Sequence, residues 1–524
     1  MNGIFKLSED KKTILSIKDK EIRSVIIPDE ITEIGVGAFY GCRYLESVHI
    51  PNNVTKIGDS AFKECFNLKS IVIPNSVVSI GKSAFNGCSN LGRIKIPKGV
   101  VTVDSNTFRN CSSLKSIDIP NSVTQICEKA FYNCSSLKEI NLPNRITNIG
   151  FSLFENCSAL ESIDIPDGVT GIWDGAFSGC VSLKNINIPN SVVLIGNGAF
   201  AGCKAIENIN IPNSSITIGK SAFSGCSLLK SIGTTTTIIS IGGWAFDGCK
   251  ALESINISKS VTHIENCTFR GCASLKCIGT SHNITSIGIN AFSGCSSLLG
   301  VIILNGGGAV IGCSSTNIVD VPNMVTNITG ETFKGCSELK CINLPNSIHK
   351  IDEYSFYDCP SLESINVAPN NPIYKSVDGI LYDKNLTTII RFPPKHKNTK
   401  YIIPESVTNI EKYAFKDNKS IECIDIPNSI THIDYKLFKD FTSLKSINVA
   451  ENNPNYKSVD GILYDKELTA IIRFAPKHKN KTFSIPDSVT KIEKCAFKDS
   501  LYLQSIQIPY SITEIKDETF NGCI

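Results

Sequence analysis

Phenylalanine keeps time in this chain. It stands at Phe39, Phe62, Phe85, Phe108, Phe131, Phe154, Phe177, Phe200, Phe223, Phe246, Phe269 and Phe292, always 23 residues from the last. It resumes at Phe333, Phe356, Phe415, Phe438, Phe497 and Phe520. A fixed period of roughly 20–50 residues means small units that bury their apolar edges only by stacking on one another. The chain's 524 residues are too many for one compact core and suit such a stack. Three intervals break the rhythm: 41 residues before Phe333, and 59 before Phe415 and again before Phe497. They read as one coil five residues short and two coils that each carry a 36-residue insertion.

One unit shows the tile. Leu114-Lys115-Ser116-Ile117-Asp118-Ile119-Pro120 sets apolar residues between exposed ones, which reads as a short strand ended by a proline with no N–H to give. Val123 and Ile126 mark a second extended piece. Ala130-Phe131 is too short for a free helix and reads as one helical or 3₁₀ turn on the convex side. Cys134 follows three residues after the Phe.

These residues resemble the leucine-rich repeats of the BspA-like family, the Treponema-pallidum type, over nearly the whole chain. The resemblance implies an α/β-type, strand-rich repeat solenoid, a leucine-rich repeat superhelix. Its 23-residue coils would carry a parallel sheet on one face and short helical or 3₁₀ turns on the other. It also implies the company of microbial surface and adhesion proteins that bind host or partner proteins. The ligand of any one member does not follow from its fold.

The chain order gives four segments. Residues 1–21 hold Gly3-Ile4-Phe5-Lys6-Leu7 and Thr13-Ile14-Leu15-Ser16-Ile17 around a charged turn, a hairpin expected to cap the stack. Residues 22–298 are regular coils, in which Thr235, Ser258 and Ser281 replace the proline. Residues 299–332 read as a shortened, degenerate coil. Its Gly306-Gly307-Gly308 lacks the Gly-Lys-Ser/Thr ending of a phosphate loop. Residues 333–524 carry the insertions, about 368–404 and 450–486. They repeat at an offset of 82, Val377-Asp378-Gly379-Ile380-Leu381-Tyr382-Asp383-Lys384 matching Val459 to Lys466, and each reads as a hairpin.

Fifteen of the 22 cysteines sit three residues after the ruler Phe and would form a column of thiols. Small side chains filling a core is the plain reading. Asn418, Phe441 and Ser500 interrupt the column, which a disulfide scheme would tolerate poorly, and a straight column offers no tetrahedral zinc site. The seven histidines lack metal spacing. No catalytic triad, paired-carboxylate or phosphate-loop signature stands out, so no enzyme, no cofactor and no metal is expected. A net charge of +3 argues against a nucleic-acid footprint. The first residues hold no apolar leader, and no apolar run is long enough to span a bilayer. Localisation is thus open between cell surface, from the resemblance, and cytoplasm, from the missing leader; a monomer is favoured.

Candidate partner-binding residues fall in two places. Lys395-His396-Lys397 and Lys477-His478-Lys479, with Tyr382 and Tyr464, lie in the insertions. Residues 368–404 carry six Lys/Arg against two Asp, and 450–486 carry six against four Asp/Glu, so a basic protrusion meeting an acidic or sulfated partner competes with a merely solvated loop. The strand face contributes Asp118, Asn141, Asp164, Asn187 and Asn210, one per coil. A protein ligand, host or extracellular matrix, would meet that face by many weak contacts, unless the rows only keep the sheet soluble. The alternative function is an intracellular scaffold with reduced cysteines.

Overall fold

The computed structural model describes residues 3–211, 214–233, 238–280, 283–303, 317–438 and 441–523. Contacts divide them into two compact units, one up to residue 281 and one from residue 282.

Unit 1 is a parallel β-solenoid. Its face ladder joins Ser24–Ile26, Ser47–His49, Ser70–Val72, Arg93–Lys95 and Ser116–Asp118, with Ser24 opposite Ser47 and Ile94 opposite Ile117. The register is therefore one period, and it brings like residues together. Only the middle residue of each strand is buried, as with Val25, Val48 and Ile71. A second ladder joins Glu33–Ile34, Lys56–Ile57 and Ser79–Ile80, again with only the isoleucine inside. The ruler rings stack through the core: from Phe39 to Phe62 the centroids are 5.0 Å apart with planes 6° from parallel, and from Phe108 to Phe131 they are 5.7 Å apart. At the start, Phe5–Leu7 pairs antiparallel with Thr13–Ile17, which joins the second ladder against Glu33–Ile34. Phe5 closes the ring column edge-on against Phe39 at 6.2 Å.

The convex segments depart from the expected helical turns. Among the described residues only Tyr435–Phe438, in unit 2, forms a 3₁₀ helix. Throughout unit 1 the residues two before and two after the ruler Phe have positive φ, as Ser60 (54°) and Glu64 (62°) do around Phe62. A backbone that flips hand twice in five residues cannot coil as a helix. It instead turns alternate N–H groups toward the next coil: Ser60, Phe62 and Glu64 donate to the carbonyls of Lys82, Ala84 and Asn86 at 2.8, 2.8 and 2.7 Å. The segment is a third coil-to-coil ladder. Glycine at Gly41, Gly87 and Gly179 makes the second flip free of Cβ strain.

Unit 2 repeats the plan, with one change from the sequence reading, in the insertions. Phe292 and Phe333 stack directly at 5.7 Å, and Phe292 donates its N–H to Thr332. The 41-residue interval is thus one step of the ring column, as expected of a short coil without an Ala-Phe segment; its Gly306–Gly308 lies outside the described residues, as do Thr235 and Ser281. The insertions, too, are coils rather than appendages. Phe392 takes a ruler position, stacking on Phe415 at 5.2 Å and donating to the Ala414 carbonyl at 2.7 Å. Phe474 does the same with Phe497 and Ala496. Each wide coil holds three antiparallel strands rather than a two-stranded hairpin: Tyr374–Val377, Ile380–Asp383 and Thr388–Arg391, then Tyr456–Val459, Ile462–Asp465 and Ala470–Arg473. The third strand returns to the stack, pairing in parallel with Asn409–Ile410 or Lys491–Ile492. Asp383 locks the turn by accepting from the Thr387 and Thr388 N–H groups at 2.7 and 2.6 Å.

Candidate interaction surface

The face column is solvent-facing in unit 1. Asp118, Asn141, Asp164, Asn187 and Asn210 are all exposed, and Asp164 lies opposite Asn187 in register. For Asp118, Asp164 and Asn187 the parallel pleat puts them there, because each follows a buried isoleucine on the same strand, whereas Asn141 and Asn210 keep the position outside any strand. Beside them run ion pairs from coil to coil: Lys69 to Glu46 at 2.8 Å, Lys230 to Glu207 at 2.8 Å and Lys276 to Glu253 at 3.3 Å. The lysine ammonium holds the Glu46 and Glu207 carboxyls below the ordinary range. Such exposed pairs order side chains more than they stabilise the fold. In unit 2 the equivalent column is bonded to itself. Asn343 donates to Asp320 at 2.6 Å, Asn366 to Asn343 at 2.9 Å and Asn448 to Asp425 at 2.6 Å.

The Lys-His-Lys segments do not form basic protrusions. His396 and His478 are inside the fold, 3% and 2% exposed. Each donates from Nε2 to the carbonyl of Asp378 or Asp460, at 2.8 and 2.7 Å, while Nδ1 accepts from the Asn398 or Asn480 N–H at 3.2 Å. Each also packs on a ruler ring, Phe392 or Phe474. The histidine is the pin that holds the wide coil shut. Lys395, Lys397 and Lys479 remain exposed and Lys477 half-buried. Tyr382 and Tyr464 are likewise core residues, 2% exposed each. The Tyr382 hydroxyl hydrogen-bonds that of Tyr401 at 2.7 Å, and burial pushes Tyr464 up to about 12. A short motif full of charge looked like surface; the tertiary pairing turned half of it inward.

Two features escaped sequence reasoning. The first is an aromatic cluster on the turn side of unit 2. Tyr354 lies 5.2 Å from Tyr413 and 6.0 Å from Tyr357, ringed by Lys334, Lys412 and Lys416 over the aromatic faces. Tyr354 and Tyr413 are 59 residues apart and meet because the wide coil passes beneath them, with Arg391 buried. Tyrosine two places before the ruler Phe in both coils was the available signal. The second is Arg391 itself, which takes the place of the small alanine before the ruler Phe. It donates to the Tyr413 carbonyl at 2.7 Å and the Phe356 carbonyl at 3.3 Å.

The thiol column does more than fill space. Cys65 donates to the Phe39 carbonyl and Cys180 to the Phe154 carbonyl, at 3.2 and 3.1 Å, and the bond recurs from coil to coil. All fifteen column cysteines stand outside any disulfide. Burial pushes Cys157, Cys226 and Cys359 up to about 12. Cys277, outside the column, is disulfide-bonded. Among the described residues no group of three or more His, Cys, Asp or Glu could hold a metal ion, and no helix is long and apolar enough to cross a membrane.

Comparison with known proteins follows the same lines. No curated protein matches the chain. Among solved structures, it is similar to a leucine-rich repeat protein from Bacteroides ovatus, 31% identical over 70% of this chain and 93% of that one, with a TM-score of 0.61. It is similar also to a leucine-rich cell surface protein from Faecalibacterium prausnitzii, at 27% identity, 70% and 94% coverage and a TM-score of 0.39. A Treponema pallidum leucine-rich repeat protein is 30% identical over 39% of this chain and 88% of that one, with a TM-score of 0.28. The BspA type leucine rich repeat region matches in six copies, at residues 16–137, 101–228, 193–309, 306–401, 395–471 and 471–524. Matched from residue 16 to residue 524, and built of stacked 23-residue coils, the chain belongs to the BspA-type leucine-rich repeat family.

Proposed function

We propose that this chain is a non-catalytic protein-binding solenoid of the adhesion type. Leucine-rich repeat proteins generally bind proteins and generally lack catalysis. The observation that carries the reading is the exposed polar series of unit 1, one per coil at Asp118, Asn141, Asp164, Asn187 and Asn210, with Asp164 and Asn187 in register. One small polar group per coil gives a flat array, in which affinity comes from many modest contacts. The exposed Lys395, Lys397 and Lys479 and the half-buried Lys477 add positive charge in unit 2. The cluster of Tyr354, Tyr357 and Tyr413 supplies the aromatic anchors that usually concentrate interface energy.

The test is capture of immobilised extracellular-matrix proteins by the full chain and by a variant with Asp118, Asp164 and Asn187 changed to Arg. Loss of capture of about tenfold or more is the expected result. Capture that is absent in the parent, or unchanged in the variant, sinks the reading. A column of fifteen cysteines with no disulfide favours a second reading, an intracellular scaffold in a reducing compartment. Labelling of intact cells with a membrane-impermeant reagent separates the two, since a scaffold labels only after lysis.

A further inference from the structure

A cleft of about 530 Å³ opens on unit 1 where two of the ladders lapse, while the turn-side bonds from Lys129 to Phe151 and from Phe131 to Leu153 persist. Strand Gln125–Ile126 pairs back to Thr102–Val103, and Asn148–Ile149 pairs forward to Gly171–Ile172, but the two do not pair with each other. The face ladder ends at Ser116–Asp118 and restarts at Ser162–Asp164. One coil further on the bonds are normal: Thr170 donates to Thr147 and Trp173 to Ile149, both at 2.9 Å. Beneath the opening the core is undisturbed, with the Phe131 and Phe154 rings 5.5 Å apart and 4° from parallel. The rings keep one coil's spacing, too narrow beneath the opening for an added strand, which needs roughly 4.8 Å on each side. What opens is a surface groove.

Its lining is particular. Phe151, 44% exposed, and Trp173 meet at 5.1 Å with planes tilted by 42°, forming a bent aromatic floor. Gly171 lies beside the indole, its nitrogen 3.5 Å from where a Cβ would stand, an ordinary contact distance. Around the floor stand the Gln125 and Asn148 amides and the Thr124 and Thr147 hydroxyls, all exposed, with Glu128 as the one carboxylate. No Lys or Arg lines the cleft. Across Phe151 a second hollow sets Lys129 against Asp174 and Glu128.

We propose that this cleft binds a neutral saccharide. A pyranose presents an apolar C–H face and a rim of hydroxyls that both donate and accept. A half-buried indole with an exposed phenyl beside it suits the face, and paired amides and hydroxyls suit the rim. The absence of lining cations disfavours sulfated or phosphorylated ligands. The site lies on the second ladder and its turn, away from the face column, so it can be occupied while a protein is held there.

Trp173 is its own reporter, because the chain has only two tryptophans. In a W244F variant of the full chain, Trp173 emission is followed during titration with cellohexaose, maltohexaose and chitohexaose. Heparin hexasaccharide and an extended Val/Thr peptide serve as comparators. A saturable change with at least one neutral hexasaccharide, weakened about tenfold by Gln125→Ala with Asn148→Ala, is expected. No change with any neutral sugar overturns the proposal, as does a change that the double variant leaves intact, or one seen only with heparin or the peptide. Both substitutions are at exposed positions. Capture of a protein by the face column is measured on the same variants and is expected to be unaltered, so the two readings fail separately.

Discussion

The column cysteine illustrates how a residue type is chosen for two small reasons at once. It fits the space left beside the ruler ring, and its thiol reaches the carbonyl of the Phe one coil back, as Cys180 reaches Phe154 at 3.1 Å. Cys180→Ala removes both and is expected to cost about 1–2 kcal/mol in urea unfolding. Buried thiols also give the fold a pH limit. The thiols of Cys157, Cys226 and Cys359 are pushed to about 12 from an ordinary value of about 9. Folding therefore favours the neutral form. The contribution is intact below about 9 and is lost as pH rises from there toward 12, at up to about 1.4 kcal/mol per pH unit for each thiol. The expected outcome is a melting temperature that is flat up to pH 8.5 and falls steeply by pH 10.5. In the native chain at pH 8 the column thiols should resist maleimide and label on unfolding. The column was legible in the sequence because it obeys the period. The hydrogen bond was not, because it joins residues 26 apart on different coils.

At the scale of the element, the wide coils carry the sharpest test. Gly379 has φ +78°, and a Cβ there would stand 2.7 Å from the Ser364 Cβ; Gly461 meets Ser446 in the same way at 2.8 Å. Gly379→Ala is expected to destabilise unit 2 by about 2–3 kcal/mol. Gly92, with open space where its Cβ would go, is the control, and Gly92→Ala should change stability by less than about 0.5 kcal/mol. Arg391→Ala removes a buried guanidinium from between two carbonyls and leaves a void, with an expected loss of about 3 kcal/mol. The duplication at an offset of 82 was plain in the sequence, and so was the extended character of Ile380 to Asp383. The third strand, and the inward turn of His396 and Tyr382, were not. Polar and aromatic residues in a short motif give no sign of which side the neighbouring coil will cover.

On the scale of a whole unit, stability in a stack is a sum over neighbours. Phe131→Ala is expected to cost about 3–5 kcal/mol. In hydrogen exchange the loss of protection should centre on the coils of Phe108 and Phe154, with the coil of Phe39 little affected; uniform loss through unit 1 would refute nearest-neighbour behaviour. The parent chain should already show an uneven pattern. Thr170 and Trp173 donate to the preceding coil, whereas the ladder lapses between 124–126 and 147–149, so the amides of Thr147 and Gly150 should exchange faster.

The period by itself determined the stacking, the parallel register, the buried Ile, Leu and Phe columns and the exposure of Asp118 or Asn187. Each follows from one rule: a residue 23 places on meets the same surroundings. The tertiary structure alone decided whatever depends on how two coils meet. It placed alternating backbone handedness where a helical turn was expected, because N–H groups aimed at the next coil satisfy more of the backbone than a single helical turn can. It made coils of two apparent insertions, since Phe392 and Phe474 find the ring column. It also opened a groove beside Trp173, where two ladders lapse above an unbroken core.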